Sequence, residues 1–349
     1  MFDFPNAPAI GDRVTGVGGI VYVWDGVKWT SSVGAVTVQS MGDVGRNLIH
    51  NSMFNVAQRG AGAFSVSGAY TADRWQMAFG GGTLSVALNS ANDTVRSQIG
   101  DESPKAICSV TVAGTAGAGD YAIVAQHIED VRRLAGKAVT VSFWAACGSG
   151  TPKIGISIDQ HFGNVGSPSP DVNGTGQSVT LGTTYQRYSL TFVLPSVAGK
   201  TLGTDATDWT AFQFWFSSGS TNNARAGGIG TQSAIFGIWG VQLEIGSVAT
   251  PLEKPDPQVD LANCQRFYEV GPAVFSGYSA ASSAFGFTML LPVPMRAAPT
   301  VVITNVGNVN IGTVTGGALA SPSGLYIQGL ATAAGNTTIN TTFTASADL

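Results

Sequence analysis

The sequence predicts an all-β protein: a central β-sandwich with smaller β units on either side. Three observations carry that prediction. Stretches with apolar–polar alternation recur between residues 83 and 245, separated by turn-forming residues. No stretch carries a long helical period. Glycine is abundant (46 of 349 residues) and charge sparse (11%), yet 44% of the chain is hydrophobic, enough to exclude disorder. Collagen is excluded because the glycines keep no strict period.

Residues 1–32 read as a separate small unit. Pro5 and Pro8 bracket a turn, and GGIVYVWDGVKWT forms a hairpin around Asp25-Gly26. Ile20, Tyr22 and Trp24 share one face of its first strand, and Trp29 follows on the return strand. Tyr22, Trp24 and Trp29 also suit a small sugar platform, an alternative to docking. Residues 33–45 are polar and glycine-spaced, and read as a linker.

Residues 46–256 form the main domain. Period-two alternation turns Leu84, Val86 and Leu88 inward, then Val139, Val141, Phe143 and Ala145, then Ile154, Ile156 and Ile158. Tyr188, Leu190 and Phe192 follow, and Phe212, Phe214 and Phe216 after them. In the last strand Ile235, Gly237, Trp239, Val241 and Leu243 are expected on one face. Phe236 and Ile238 begin the other, and Gln242 and Glu244 end it. Gly246 and Pro251, Pro255 and Pro257 then stop the sheet. The 161–178 loop is long and rich in Gly, Ser and Pro, a candidate rim of a binding site. Trp75 and Trp239 are assigned to packing, with Arg74 paired to a carboxylate such as Glu244 or Glu129.

Residues 257–349 form a third, β-rich unit. It opens with one short helix capped by Asp260, with Leu261, Cys264, Phe267 and Tyr268 as an apolar stripe. Its tail from Gly307 is rich in Gly, Ala, Thr and Asn, thin material for a core of its own.

Net charge is −4, and no basic run is long enough to track a phosphate backbone, which argues against nucleic acid. Arg132, Arg133 and Lys137 read as a solvated loop rim. Cys108, Cys147 and Cys264 have no metal spacing and read as reduced thiols of a chain made in a cytoplasm. No signal peptide or membrane-spanning run is expected.

Four separated motifs carry a family resemblance, NLIHNSMFNVAQRG, AYTADRWQM, QHIEDVRRLAGKAVTVSFWA and QLEIGSVATPLEKPD with LANCQRFYE, and LPVPMRAAPTV adds a further likeness. They resemble bacteriophage tail-fibre and related virion proteins. The hairpin segment YVWDGVKW is similar to N-terminal segments of phage virion proteins. The resemblance implies a jelly-roll sandwich like that of carbohydrate-binding modules, attachment to other virion proteins through residues 1–32, and homo-oligomers, with a trimer favoured. It implies a protein made in the host bacterial cytoplasm and located in the virion.

The outward faces of the strands carry the candidate site. Thr140, Ser142 and Trp144 lie on one strand, Ser157, Asp159 and His161 on a second, Gln213, Trp215 and Ser217 on a third. If those strands share a sheet, two indoles stand among hydrogen-bonding groups. Trp144, Trp215, Ser157, Asp159, His161 and Gln213 are then the expected carbohydrate-binding residues, since a sugar offers an apolar face ringed by hydroxyls. The bland alternative is that a loop or another subunit covers that face.

Catalysis is not expected. Asp159 and His161 project the same way, but no serine motif accompanies them. Asp120 with Glu129 and Asp130 are candidate acids whose spacing does not force convergence. No cofactor or metal is expected. Carbohydrate-binding modules often hold a structural calcium near the last strand, but here that strand reads WGVQL without acids, leaving only Asp205 and Asp208 as loop candidates. The resulting expectation is a non-enzymatic fibre or spike protein adhering to host cell-surface polysaccharide. The alternatives are a ligand-free decoration or connector protein and a glycan depolymerase.

Overall fold

The computed structural model describes residues 5–15, 21–24, 26–32 and 45–349. The chain divides into two compact units, 1–46 and 47–349. In the first, β1 (Arg13–Thr15), β2 (Val21–Trp24) and β3 (Trp29–Ser32) form an antiparallel sheet in that order. Trp24 pairs with Trp29 across the hairpin, ring centroids 5.6 Å apart. Ile20, Asp25 and residues 33–44 of the expected linker lie outside the described residues.

The second unit opens with β4 (Gln76–Gly80), β5 (Thr83–Ser90), α1 (Asp93–Ile99), β6 (Ala106–Ala113) and β7 (Tyr121–Glu129). It continues through β8 (Ala138–Cys147), β9 (Lys153–His161), β10 (Gln177–Thr180), β11 (Gln186–Val193), β12 (Trp209–Ser218) and β13 (Ser233–Ile245). These strands make two antiparallel sheets, β10-β9-β12-β7-β4 and β11-β8-β13-β6-β5. The chain crosses repeatedly from one sheet to the other, which is jelly-roll wiring. Between the sheets lies the core: Leu84, Val86, Val139, Val141, Phe143, Ile154, Ile156, Phe212, Phe214 and Phe216 are all buried there. Trp75 joins them, stacked on Phe214 at 6.2 Å. The inward residues of these four strands follow the alternation.

β13 departs from it. Phe236 and Ile238 enter the core, and so do Val241 and Leu243, two sets that strict alternation would put on opposite faces. A bulge between Trp239 and Gln242 adds the extra residue, with Gly240 at φ +61°. Trp239 is therefore buried in a second cluster outside the sheet, with Met53, Ala91, Ile99 and Ile107. Ile235, expected on the same face as Val241, is exposed. Backbone groups near the bulge bond to residues 47–52 instead: Val241 N–H to Ser52 O and Leu48 N–H to Leu243 O, each 2.9 Å.

α1 was not expected. Asn92 caps it by accepting from Val95 N–H at 3.0 Å, and Gly100 closes it. α2 (Pro257–Gln265) is the expected helix, but Asp256 caps it. Asp260 is buried in the first turn and accepts from Asn51 N–H at 2.9 Å, a tertiary bond rather than a cap. Then come β14 (Tyr268–Ser279), β15 (Ala284–Leu290), β16 (Thr300–Asn305), β17 (Thr315–Ala318), β18 (Gly324–Leu330) and β19 (Gly335–Ser346). They form two three-stranded sheets, β14-β19-β16 and β15-β18-β17, around Phe285, Leu325, Ile327, Ile339 and Phe343.

The motifs that carried the family resemblance converge where this C-terminal sandwich meets the central one. Glu129 is gripped by Arg266 and Arg296, at 3.0 and 3.1 Å. Arg59 pairs with Asp348 and lies over the Tyr268 ring. Arg74 is buried over the Phe267 ring at 3.3 Å. Its nearest carboxylate is Asp348, at 3.9 Å, in place of the expected Glu244 or Glu129. Arg74 has φ +74°, so the backbone turns its side chain into this junction and away from the face of Glu244. Among the described residues, no helix is long and apolar enough to cross a membrane. Cys108, Cys147 and Cys264 are buried free thiols.

Candidate functional site

β9, β12, β7 and β4 are consecutive neighbours, so their registers set which outward side chains touch. Ser157 stands opposite Gln213, Asp159 opposite Ala211, and His161 opposite Trp209. On the other flank of β12, Gln213 faces Ala125 and Trp215 faces Ile123. Five of the six expected residues therefore share one outer face: Ser157, Asp159, His161, Gln213 and Trp215. Trp144 does not. It lies on β8, in the opposite sheet, beside Trp239 in the outer cluster at 5.4 Å, with the Arg187 guanidinium 4.9 Å from its ring. The two indoles never share a platform, because β8 and β9 are consecutive in sequence but belong to different sheets.

The shared face is also less open than expected. Trp215 is 2% exposed. Its indole N–H donates to Ser157 Oγ at 2.9 Å, and Ser157 Oγ in turn donates to Gln213 Oε1 at 3.3 Å. Residues 219–228 lie over it as a strap, with the Arg225 guanidinium 5.2 Å from the indole and 2.5 Å from Asp159. Gly155 lets the strap approach: a β-carbon there would collide with the Ala226 carbonyl. Asp159 also accepts from Gly174 N–H at 2.8 Å. Burial pushes its carboxyl above the usual carboxylate range, and Arg225 pulls it partly back.

His161 does not pair with Asp159 as an orienter–base couple. Its Nδ1 meets Asp171 at 2.8 Å, and its ring stacks on Trp209 at 4.6 Å. His127 approaches the same indole at 4.4 Å, and burial lowers that imidazole to about 4. His161, Trp209 and His127 thus form a half-buried aromatic row at one end of the face. At the other end an open cavity of ≈ 300 Å³ is lined by Tyr121, Ile123, Ala78, Trp215, Asn222 and Arg225. Tyr121, Asn222, Arg225 and Trp209 were not singled out from the sequence. Trp209 shares the parity of Gln213 and Trp215 and was legible by extending that strand two residues. Arg225 sits in a turn-rich loop and carries no such signal.

Asp120 and Glu129 stand at opposite ends of β7, about 30 Å apart at strand rise, too far for a carboxylate pair astride one glycosidic bond. Asp120 is tied to Thr115 and Gly117, and Asp208 accepts from Val131 N–H at 2.9 Å. Among the described residues no group of three or more His, Cys, Asp or Glu is placed to hold a metal.

No protein-family model matches the chain, and no curated protein matches it. Solved structures resemble part of it. The enzymatically active domain of bacteriophage CBA120 tailspike protein 4 aligns over 58% of this chain at 15% identity, TM-score 0.33. The match spans 22% of that tailspike chain. The family 11 carbohydrate-binding module of Clostridium thermocellum aligns over 55% of this chain and 99% of its own, at 14% identity and TM-score 0.34. A putative sugar-binding protein from Bacteroides thetaiotaomicron aligns over 57% and 100%, at 12% identity and TM-score 0.35.

Proposed function

We propose that the chain is a non-enzymatic adhesion component of a phage fibre or spike, and that its central sandwich binds a host-surface polysaccharide. The observation that supports this reading most is the cavity beside Trp215. There the half-buried Tyr121 ring and Ile123 offer an apolar wall, and Asn222 and Arg225 offer donors. One sugar ring needs that pairing of flat apolar surface and fixed polar groups. Weak sites gain avidity when copies are joined. Val274, Tyr278 and Val302, exposed on the β14-β19-β16 sheet, suit contact between copies.

Glycan-array binding by the full chain is the test. Tyr121→Ala is expected to weaken binding about tenfold or more, in line with the loss of one stacked ring. Trp144→Ala, on the opposite sheet, is expected to leave affinity unchanged. A second reading, a connector without ligand, is favoured by the strap over Trp215. Absence of binding to any host glycan would establish it. Release of reducing sugar from host polysaccharide would instead select the depolymerase. Immunogold labelling of purified particles checks the virion placement.

A further inference from the structure

The junction between the two sandwiches contains a small cavity of ≈ 20 Å³, lined by Leu48, His50, Arg74, Glu129, Arg133 and Phe267 among others. Arg74 is 2% exposed, yet its Nε has no hydrogen-bond partner among the described residues, and neither does His50 Nδ1. A guanidinium N–H buried without an acceptor loses its hydration and gains nothing in return, so the site favours an acceptor. The Glu129 carboxylate also lines the cavity, but both its oxygens are taken by Arg266 and Arg296.

The field at this point is positive. Burial, and after it the charges of Arg74, Arg133 and Arg266, lowers the His50 imidazole to about 3. Asp348 and Glu129 act on Arg74 in the opposite sense, but Asp348 stands 3.9 Å away and Glu129 is bonded to Arg266 and Arg296. The volume admits one water-sized particle and excludes sulfate, phosphate or an organic carboxylate. The walls of Leu48, Ile128 and Phe267 suit a weakly hydrated ion.

We propose that this cavity binds one monatomic anion of chloride size, held by Arg74 Nε and the Arg133 guanidinium with a hydrogen bond from His50 Nδ1. Such an ion supplies the acceptor that Arg74 Nε lacks, at the wall where the central sandwich meets Phe267. It does not depend on glycan binding.

The test uses the full chain in sodium chloride against sodium gluconate at equal ionic strength, since gluconate is too large to enter. Chloride is expected to raise the melting temperature saturably, by about 2 °C. Crystals soaked in bromide are expected to show an anomalous peak beside Arg74. Arg74 also holds the junction together, so the variants are Arg133→Gln and His50→Leu, each expected to reduce the chloride response. Equal melting temperatures in the two salts would overturn the proposal, the cavity then holding water. A bromide peak without a thermal response would mean an adventitious ion only. A response unchanged in both variants would place the chloride effect elsewhere and also reject the site.

Discussion

Glu269 lies on β14, 6% exposed, and its Oε2 has no hydrogen-bond partner among the described residues. Burial raises its carboxyl from an ordinary 4.5 to about 7. The folded chain thus holds this proton more tightly than the unfolded chain. The associated stability is complete below pH 4.5 and is lost as pH rises towards 7. Allowing for solvent screening, the loss is about 1–2 kcal/mol. Glu269→Gln should therefore stabilise the protein by about that amount at pH 8 and by almost nothing at pH 4. Urea denaturation at both values checks it. A gain equal at both pH values would trace to packing rather than ionisation. The same sign applies to Asp73, Asp260 and Asp348, which burial also raises.

Among the elements, β13 shows where alternation stops being a sufficient guide. The inward faces of β8, β9 and β12 could be read directly, because their core residues keep period two, on β12 up to Phe216, where its register with β7 shifts. On β13 one extra residue at Gly240 reverses the parity, so Trp239 and Val241 part company. A glycine inside a strand was the visible sign of that bulge. The site was legible to a similar depth. Parity placed Ser157, Asp159, Gln213 and Trp215 outward, but pairing order is set by contacts distant in sequence, so nothing local separated Trp144 from them. The strap over Trp215 is also a long-range packing result, and its loop composition carries no trace of it.

The bulge itself can be tested. A β-carbon on Gly240 would meet Trp144 at 2.9 Å and Leu252 at 3.1 Å, on a backbone at φ +61°. Gly240→Ala should cost about 2–3 kcal/mol, summing left-handed strain and the clash. Gly228→Ala, at φ +75° with open space around it, should cost about 1 kcal/mol. Equal losses in denaturant would show that the indole pair yields freely.

At the scale of the molecule, charge is distributed unevenly. Between residues 270 and 347 the only charged side chain is Arg296, and it is spent on the junction. The C-terminal sandwich is thus tied to the central one by a few ionic contacts laid over Phe267 and Tyr268. Glu129 is the centre of that tie, one carboxylate shared by Arg266 and Arg296. Its partners differ in what its loss would cost. Arg266 is 43% exposed and can turn to water, whereas Arg296 is 10% exposed and would be left buried without its counter-ion. Glu129→Ala should therefore weaken the junction by about 2–3 kcal/mol, mostly through Arg296. The sandwiches have separate cores, so a weakened junction should uncouple their melting. Calorimetry of the full chain is expected to show the C-terminal unit unfolding first, as a transition separate from the central sandwich. Adding Arg296→Ala should then cost little more, since the buried cation is gone. One unchanged transition in Glu129→Ala would mean that the aromatic stacking around Phe267 and Tyr268 couples the two units without the carboxylate.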